Sequence, residues 1–179
     1  MSALVEAERV HLELLEKWRG AMNLIGPGPA EDHIIDARAA VVSLDPRGRW
    51  ADLGSGAGFP GLALAIHHPA LEVLLVESRE RRVGFLKQVV RAAGLVNVEV
   101  FHGRTETLSG PFDGVISRGY RPLIDYLGDA DRLLHDRGSA VAMTGAGPLI
   151  DVPDDWTVHG TWTYEVPNGR RSVHELRRA

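Results

Sequence analysis

The chain has 179 residues, 44% of them hydrophobic and 25% charged, with a net charge of −4 and no cysteine. That length and balance fit one globular domain with an ordinary core, and they exclude disulfides, thiolate metal sites and a membrane span, since no run of about 18 apolar residues occurs. The acidic, interrupted N-terminus is unlike a signal peptide, so a cytoplasmic protein is expected, and the eight histidines lack metal-ligand spacing, so no metal is expected. Residues 3–19 carry Leu4, Val5, Ala7, Val10, Leu12, Leu14, Leu15 and Trp18 toward one side, the pattern of an amphipathic helix. Gly26-Pro27-Gly28-Pro29 stops it, and a second helix is expected over residues 30–44, ended by Asp45-Pro46. From residue 49 short apolar strands (49–53, 71–77, 97–102, 112–117, 138–144) alternate with helices near 59–67, 79–93, 104–108 and 121–135. This alternation predicts βαβ units, a parallel sheet and right-handed crossovers. Strands over 156–166 and 171–177, around Pro167-Asn168-Gly169, predict a closing antiparallel hairpin. The chain therefore reads as an α/β fold in one domain: a helical extension over 1–48, then a core over 49–179 with a mainly parallel seven-stranded sheet and helices on both faces.

The most informative segment is ADLGSGAGFPG, from Ala51 to Gly61. Asp52 ends an apolar run, and Gly54, Gly56 and Gly58 then recur at every second residue, with Ser55 and Phe59 among them. Glycines at this density let backbone turn sharply and approach a ligand where a Cβ would collide. A strand ending at Leu53 and a helix starting near Phe59 would bring free N–H groups and a positive helix end to one point. That describes a nucleotide-type cofactor site, the alternative being a tight turn that binds nothing. The dinucleotide fingerprint fits only the frame Gly56-x-Gly58-x-x-Gly61. Asp52, two places before the first glycine, suits the cationic S-adenosylmethionine better than an anionic pyrophosphate. Glu77, roughly 20 residues on, is the carboxylate that either cofactor wants for ribose hydroxyls, so it indicates a ribose without saying which.

Charge is unevenly spread. Arg79, Arg81, Arg82, Lys87 and Arg91 face Glu80 alone, and Arg170, Arg171, Arg177 and Arg178 crowd the C-terminal end. Such surfaces either hold a phosphate backbone or are solvated helix faces and tail.

The segments DLGSGAGFPGLALAI, LLVESRERRVGFLKQVV, HGRTE and FDGVISRGYRPL resemble the glucose-inhibited division protein B family, the small-subunit rRNA methyltransferase G enzymes, from about Leu12 to about Leu176. The resemblance implies a Rossmann-like class I methyltransferase fold, S-adenosylmethionine as cofactor, and methylation of a guanine N7 in 16S rRNA of the small ribosomal subunit. It implies a donor site of Asp52, Gly54, Ser55, Gly56, Gly58, Phe59, Glu77, Ser78, Arg104, Thr105, Glu106 and Arg118, with Glu77 on the ribose and Thr105 and Glu106 beside the adenine. Arg118 is expected at the reaction end, near the methionine carboxylate or the target base. Substrate contacts are expected from Tyr120, His33, Asp36, Arg81 and Arg82, and the protein is expected to be a monomer. The chain departs from the family pattern at Ile25, Ala37, Arg38, Gly119 and Thr144, where the family's N-L-T, D-S-L, S-R-A and K-G elements differ. Two other readings stay open: a methyltransferase of this scaffold with another acceptor, and a non-catalytic donor- or RNA-binding protein assisting ribosome assembly.

The residues permit this chemistry. There is no cysteine to attack a pyrimidine ring, and no Asn/Asp-Pro-Pro-aromatic motif for an exocyclic amine, since Ser117-Arg118-Gly119-Tyr120 stands at that position. Guanine N7 carries a bare lone pair and needs no general base. A deep A-form groove hides N7, so the target base is expected in a loop or splayed out, held by stacking and by an arginine at O6; Tyr120 is the aromatic beside Arg118.

Overall fold

In a computed structural model the described residues are 3–167 and 169–179. In chain order they form α1 (Glu6–Met22), α2 (Ala30–Val41), β1 (Arg49–Leu53), α3 (Gly61–His67), β2 (Glu72–Glu77), α4 (Glu80–Ala92), β3 (Val98–His102), a single 3₁₀ turn (Thr105–Thr107), β4 (Phe112–Arg118), α5 (Leu123–Leu133), β5 (Leu134–Gly145), β6 (Trp156–Val166) and β7 (Gly169–Arg178). The strands make one seven-stranded sheet in the order β3-β2-β1-β4-β5-β7-β6. The first five are parallel, and β7 lies antiparallel to both β5 and β6.

The strand order reverses direction at β1, between β2 and β4, and that is where open α/β sheets bind ligands, outside the carboxyl ends of their strands. β1 and β2 are buried after their first residue, as parallel strands covered on both faces should be. Successive side chains alternate faces. Trp50 and Val73 join one apolar cluster with α1, α2, α3 and α4, while Ala51 and Leu74 join the other, formed with α5. The two faces are therefore covered unequally. The helical extension is packed into the same core as the sheet through Leu15, Ile34, Ala37 and Val41.

The expected elements recur with shifted ends: α1 runs three residues further, and α2 stops three residues earlier. The helix expected over 104–108 is only the 3₁₀ turn. Its sequence, RTETL, has no apolar stripe to bury, and Gly110-Pro111 closes off any extension. The hairpin strands are present, and the turn residue Asn168 lies outside the described residues.

Candidate active site

The loop after β1 is shaped by three left-handed glycines, Gly54 at φ 73°, Gly56 at 57° and Gly58 at 91°. The Gly54 and Ser55 amides both donate to the Val76 carbonyl at 3.0 Å, so the loop is tied back to β2. Asp52 lies beneath it, fully buried. Its Oδ2 accepts from the Gly61 amide at 3.0 Å, at the start of α3, while Oδ1 has no partner. Burial pushes the Asp52 carboxyl up to about 7, opposed by the Gly61 amide. Ser55 is also buried, its hydroxyl donating to the Asp52 carbonyl at 3.0 Å. Gly58 is filled from below: a Cβ there would lie 2.2 Å from Leu62 Cδ1.

A cavity of about 420 Å³ opens above the loop, within the usual range for small-molecule sites. Its walls bring together Gly54, Glu77, Ser78, Arg104, Thr105 and Glu106 from the expected donor set, and Tyr120 and Arg82 from the expected substrate set. Glu77 stands at the tip of β2. Its Oε2 accepts from the Gly56 amide at 3.0 Å and its Oε1 from the Arg79 amide at 2.8 Å. A carboxylate has about four lone-pair sites, so two remain for ribose hydroxyls. A Cβ on Gly54 would stand 2.5 Å from Tyr120 Cδ2, so only glycine admits this ring beside the loop. Backbone free of side chains, a carboxylate at sugar height and polar strand ends fit an adenosine-bearing donor such as S-adenosylmethionine.

Sequence reasoning missed five wall residues: Val76, Arg79, Gly103, Gly119 and Arg121. Arg79, Gly103 and Gly119 directly follow or lie next to strand ends, and that position was the available signal. Arg121 gave none; it pairs with Glu106 and, at 3.2 Å, with Asp129, closing one side of the cavity. The Glu106 carboxyl is lowered chiefly by its hydrogen bond from Arg121.

Asp36, Arg118, Phe59 and His33 gather elsewhere. Asp36 and Arg118, together with Met143, Thr144, Tyr164 and Arg171, line a second cavity of about 230 Å³, which shares Gly119 with the first, while Phe59 and His33 stack behind Arg118. Arg118 Nη1 donates to Asp36 Oδ2 at 3.1 Å, and the Tyr164 hydroxyl donates to Asp36 Oδ1 at 2.8 Å. The Arg118 guanidinium lies 4.7 Å over the Phe59 ring, and His33 stacks on that ring at 6.0 Å. Burial lowers the Arg118 and His33 values, partly offset by Asp36. Tyr164 was not legible from sequence, because its partner Asp36 is 128 residues away.

Phe59 also packs 4.8 Å from the ring of His11, whose Nε2 donates to the Ala57 carbonyl at 2.8 Å. Burial pulls His11 down to about 4, so it is neutral at pH 7 and carries its proton on Nε2. Arg81 and Arg82 donate to the Ala21 and Asn23 carbonyls, at the end of α1 and just beyond it. The helical extension is thereby pinned to the donor loop through His11 and to α4 through Arg81 and Arg82.

Residues 6–174 match the family described as GidB, rRNA small subunit methyltransferase G. The chain belongs to that family. Among relatives named ribosomal RNA small subunit methyltransferase G, that of Saccharophagus degradans is 37% identical over 177 residues, covering 93% of this chain and 79% of the relative. The protein of the same name from an Azoarcus species is 37% identical, covering 92% and 82%. Solved structures share the fold. TYW2 of M. jannaschii, in complex with AdoMet, superposes with a TM-score of 0.63 at 15% identity, covering 83% of this chain and 77% of that one. A coclaurine N-methyltransferase bound to N-methylheliamine and SAH gives 0.60 at 16%, covering 92% and 59%. The class I methyltransferase fold and the rRNA methyltransferase G family thus apply to this chain together.

Proposed function

We propose that this protein transfers the methyl group of S-adenosylmethionine to N7 of a guanine in 16S rRNA of the small ribosomal subunit. The observation that carries the reading is the pair of cavities joined at Gly119, one suited to adenosine and the other bounded by Arg118, within a chain of the rRNA small subunit methyltransferase G family. S-adenosylmethionine, when bound, supplies a methyl group on a positively charged sulfur.

The chain's own residues supply placement. Glu77 accepts from sugar hydroxyls while held rigid by the Gly56 and Arg79 amides. Thr105, buried at the 3₁₀ turn, and Glu106 border the adenine end. Asp52 fixes the pitch of the loop against α3 instead of reaching into the cavity. Arg118, held by Asp36 and stacked on Phe59, presents a fixed cation at the junction, where it can donate to O6 of guanine and leave the N7 lone pair free to attack. Fixed placement of this kind accounts for most of what a direct displacement needs, because ordering the reactants removes an entropic barrier and preset charges need no reorganisation. N7 loses no proton, so the reaction asks for no general base. Arg79, Arg104 and Arg121 rim the first cavity and favour a polyanionic partner.

The test uses labelled donor with small subunits that lack the modification, followed by mapping of the modified base. One 7-methylguanine in the 16S rRNA is expected. Label on another atom or base would point to a different acceptor, and donor binding without transfer to subunits or naked rRNA would favour a non-catalytic role.

A further inference from the structure

The cavity between Asp36, Tyr164 and Met143 has a composition that the donor does not need. We infer that it receives the target base, and that Asp36 selects guanine by accepting hydrogen bonds from its N1–H and N2–H₂ groups. This rests on the methyltransferase reading above and adds which residue chooses the base.

Asp36 has a side chain only 14% exposed, and that exposure faces the cavity it lines. A carboxylate accepts only, with about four lone-pair sites. Two are taken, one by Arg118 at 3.1 Å and one by the Tyr164 hydroxyl at 2.8 Å. Two are left, one on each oxygen, on a group that Arg118 and Tyr164 hold in one orientation. Guanine is the base that offers two adjacent donors, N1–H and N2–H₂, to such a pair. Adenine turns the bare N1 acceptor toward the same spot, and a buried carboxylate facing an acceptor loses both bonds and gains repulsion. Hypoxanthine keeps N1–H and lacks the amino group.

The other walls suit a flat base. Met143, a polarisable thioether, and the Gly119 and Gly145 backbone give apolar or thin surfaces, and Gly119 opens toward the donor cavity. Arg171, from β7, also lines the cavity and offers a cation to an incoming phosphate. Charge also fits the product. When N7 gives its lone pair to the methyl carbon and the sulfur–carbon bond breaks toward sulfur, the purine gains the positive charge that sulfur loses. Asp36 would then face a cationic ring through the groups it already binds.

The experiment measures binding of free nucleotides to the intact protein saturated with S-adenosylhomocysteine, by calorimetry and saturation-transfer NMR at millimolar nucleotide. GMP should bind, IMP should bind about tenfold more weakly, and AMP and 1-methyl-GMP should show no competition with GMP, as expected for loss of one or two bonds to a charged acceptor. This series needs no variant, so it stands even where Asp36→Asn fails to fold. In a folded Asp36→Asn protein the GMP-to-IMP ratio should fall toward one, while affinity for S-adenosylhomocysteine stays within twofold. Equal binding of GMP and AMP, or no GMP binding, would overturn the assignment. A loss of S-adenosylhomocysteine affinity in Asp36→Asn equal to the loss of GMP affinity would also overturn it, placing the donor's amino-acid end in this cavity. Failure of the native protein to bind S-adenosylhomocysteine at all would strike the methyltransferase reading instead.

Discussion

The two cavities that meet at Gly119 are made from different kinds of material. The donor side is mostly backbone and strand ends: Gly54, Glu77 and Thr105 each lie within two or three residues of a strand terminus, and Glu77 is held by main-chain amides. The other side is a set of long-range side-chain contacts, with Asp36 bound to Arg118 across 82 residues of sequence and to Tyr164 across 128. Yet both use one device, a carboxylate with half of its acceptor capacity fixed by the protein and half left open. The difference lies in what fixes it. Main-chain amides hold Glu77 regardless of nearby side chains, whereas Asp36 depends on two other residues, Arg118 and Tyr164, keeping their identities, so the donor side should tolerate variation that the acceptor side does not.

The largest effect that would expose this contrast is on turnover. Arg118→Ala removes a cation from the junction without touching the first cavity's wall. Methyl transfer to small subunits is expected to fall by about two to three orders of magnitude, in line with loss of one preset charge in an excluded site. Affinity for S-adenosylhomocysteine, measured by calorimetry, should change by only a few-fold. Unchanged turnover would remove Arg118 from the site. Gly54→Ala is the converse. Its φ of 73° costs a side chain about 1–2 kcal/mol, and the added Cβ would meet the Tyr120 ring at 2.5 Å. Together these predict a loss of about 2–3 kcal/mol of stability, read as a lowered unfolding midpoint in urea, with the Asp36 cluster intact.

The same contrast decided what could be read from the sequence. The sheet was legible because parallel strands buried on both faces leave continuous apolar runs, as in VLLVE before Ser78 and VISR at the end of β4. The donor loop was legible because positive-φ turns leave glycines in the sequence. Asp52 was visible as part of the loop, but its burial under it was not, since nothing local distinguishes a carboxylate that caps α3 from one that meets a ligand. Tyr164 and Met143 left no local mark, because their place in the second cavity is fixed by how β7 pairs with β6 and with β5. The 3₁₀ turn was overread as a helix, where alternation of elements outweighed the missing apolar stripe.

His11 provides a smaller test, one that reaches the donor loop from the helical extension. Its folded value near 4 lies below the unfolded value of 6.5, so the unfolded chain takes up a proton first as pH falls. The stability His11 contributes is present above pH 6.5 and lost toward pH 4. From pH 6.5 to pH 5 that loss is about 1.5 kcal/mol. Asp52 runs the other way: its raised value near 7 means that its contribution is present below pH 3.8 and declines as pH rises toward 7. The two slopes offset each other in the native protein, so a flat stability profile between pH 4 and 6.5 would hide both. Urea titrations of the native protein and of His11→Gln at pH 6.5 and pH 5 separate them. The stability difference, native minus variant, should shrink by about 1.5 kcal/mol at the lower pH. A constant difference would show that His11 titrates normally and does not sit neutral beneath Ala57.

The smallest expected effect belongs to Arg82, the side chain that stands between the residue after α1 and Glu77. Its Nη2 donates to the Asn23 carbonyl at 3.1 Å, and its Nη1 stands 3.9 Å from Glu77 Oε2, too long for a direct hydrogen bond. The guanidinium is still 21% exposed, so solvent screens it. Arg82→Ala should therefore cost less than about 1 kcal/mol of stability and change donor-analogue affinity by no more than about threefold. Glu77 keeps both amide bonds in the variant and so keeps its orientation. If affinity instead fell by more than tenfold, the arginine rather than the main chain would be what holds the sugar-binding carboxylate. The distinction between a backbone-built donor side and a side-chain-built acceptor side would then fail at its centre.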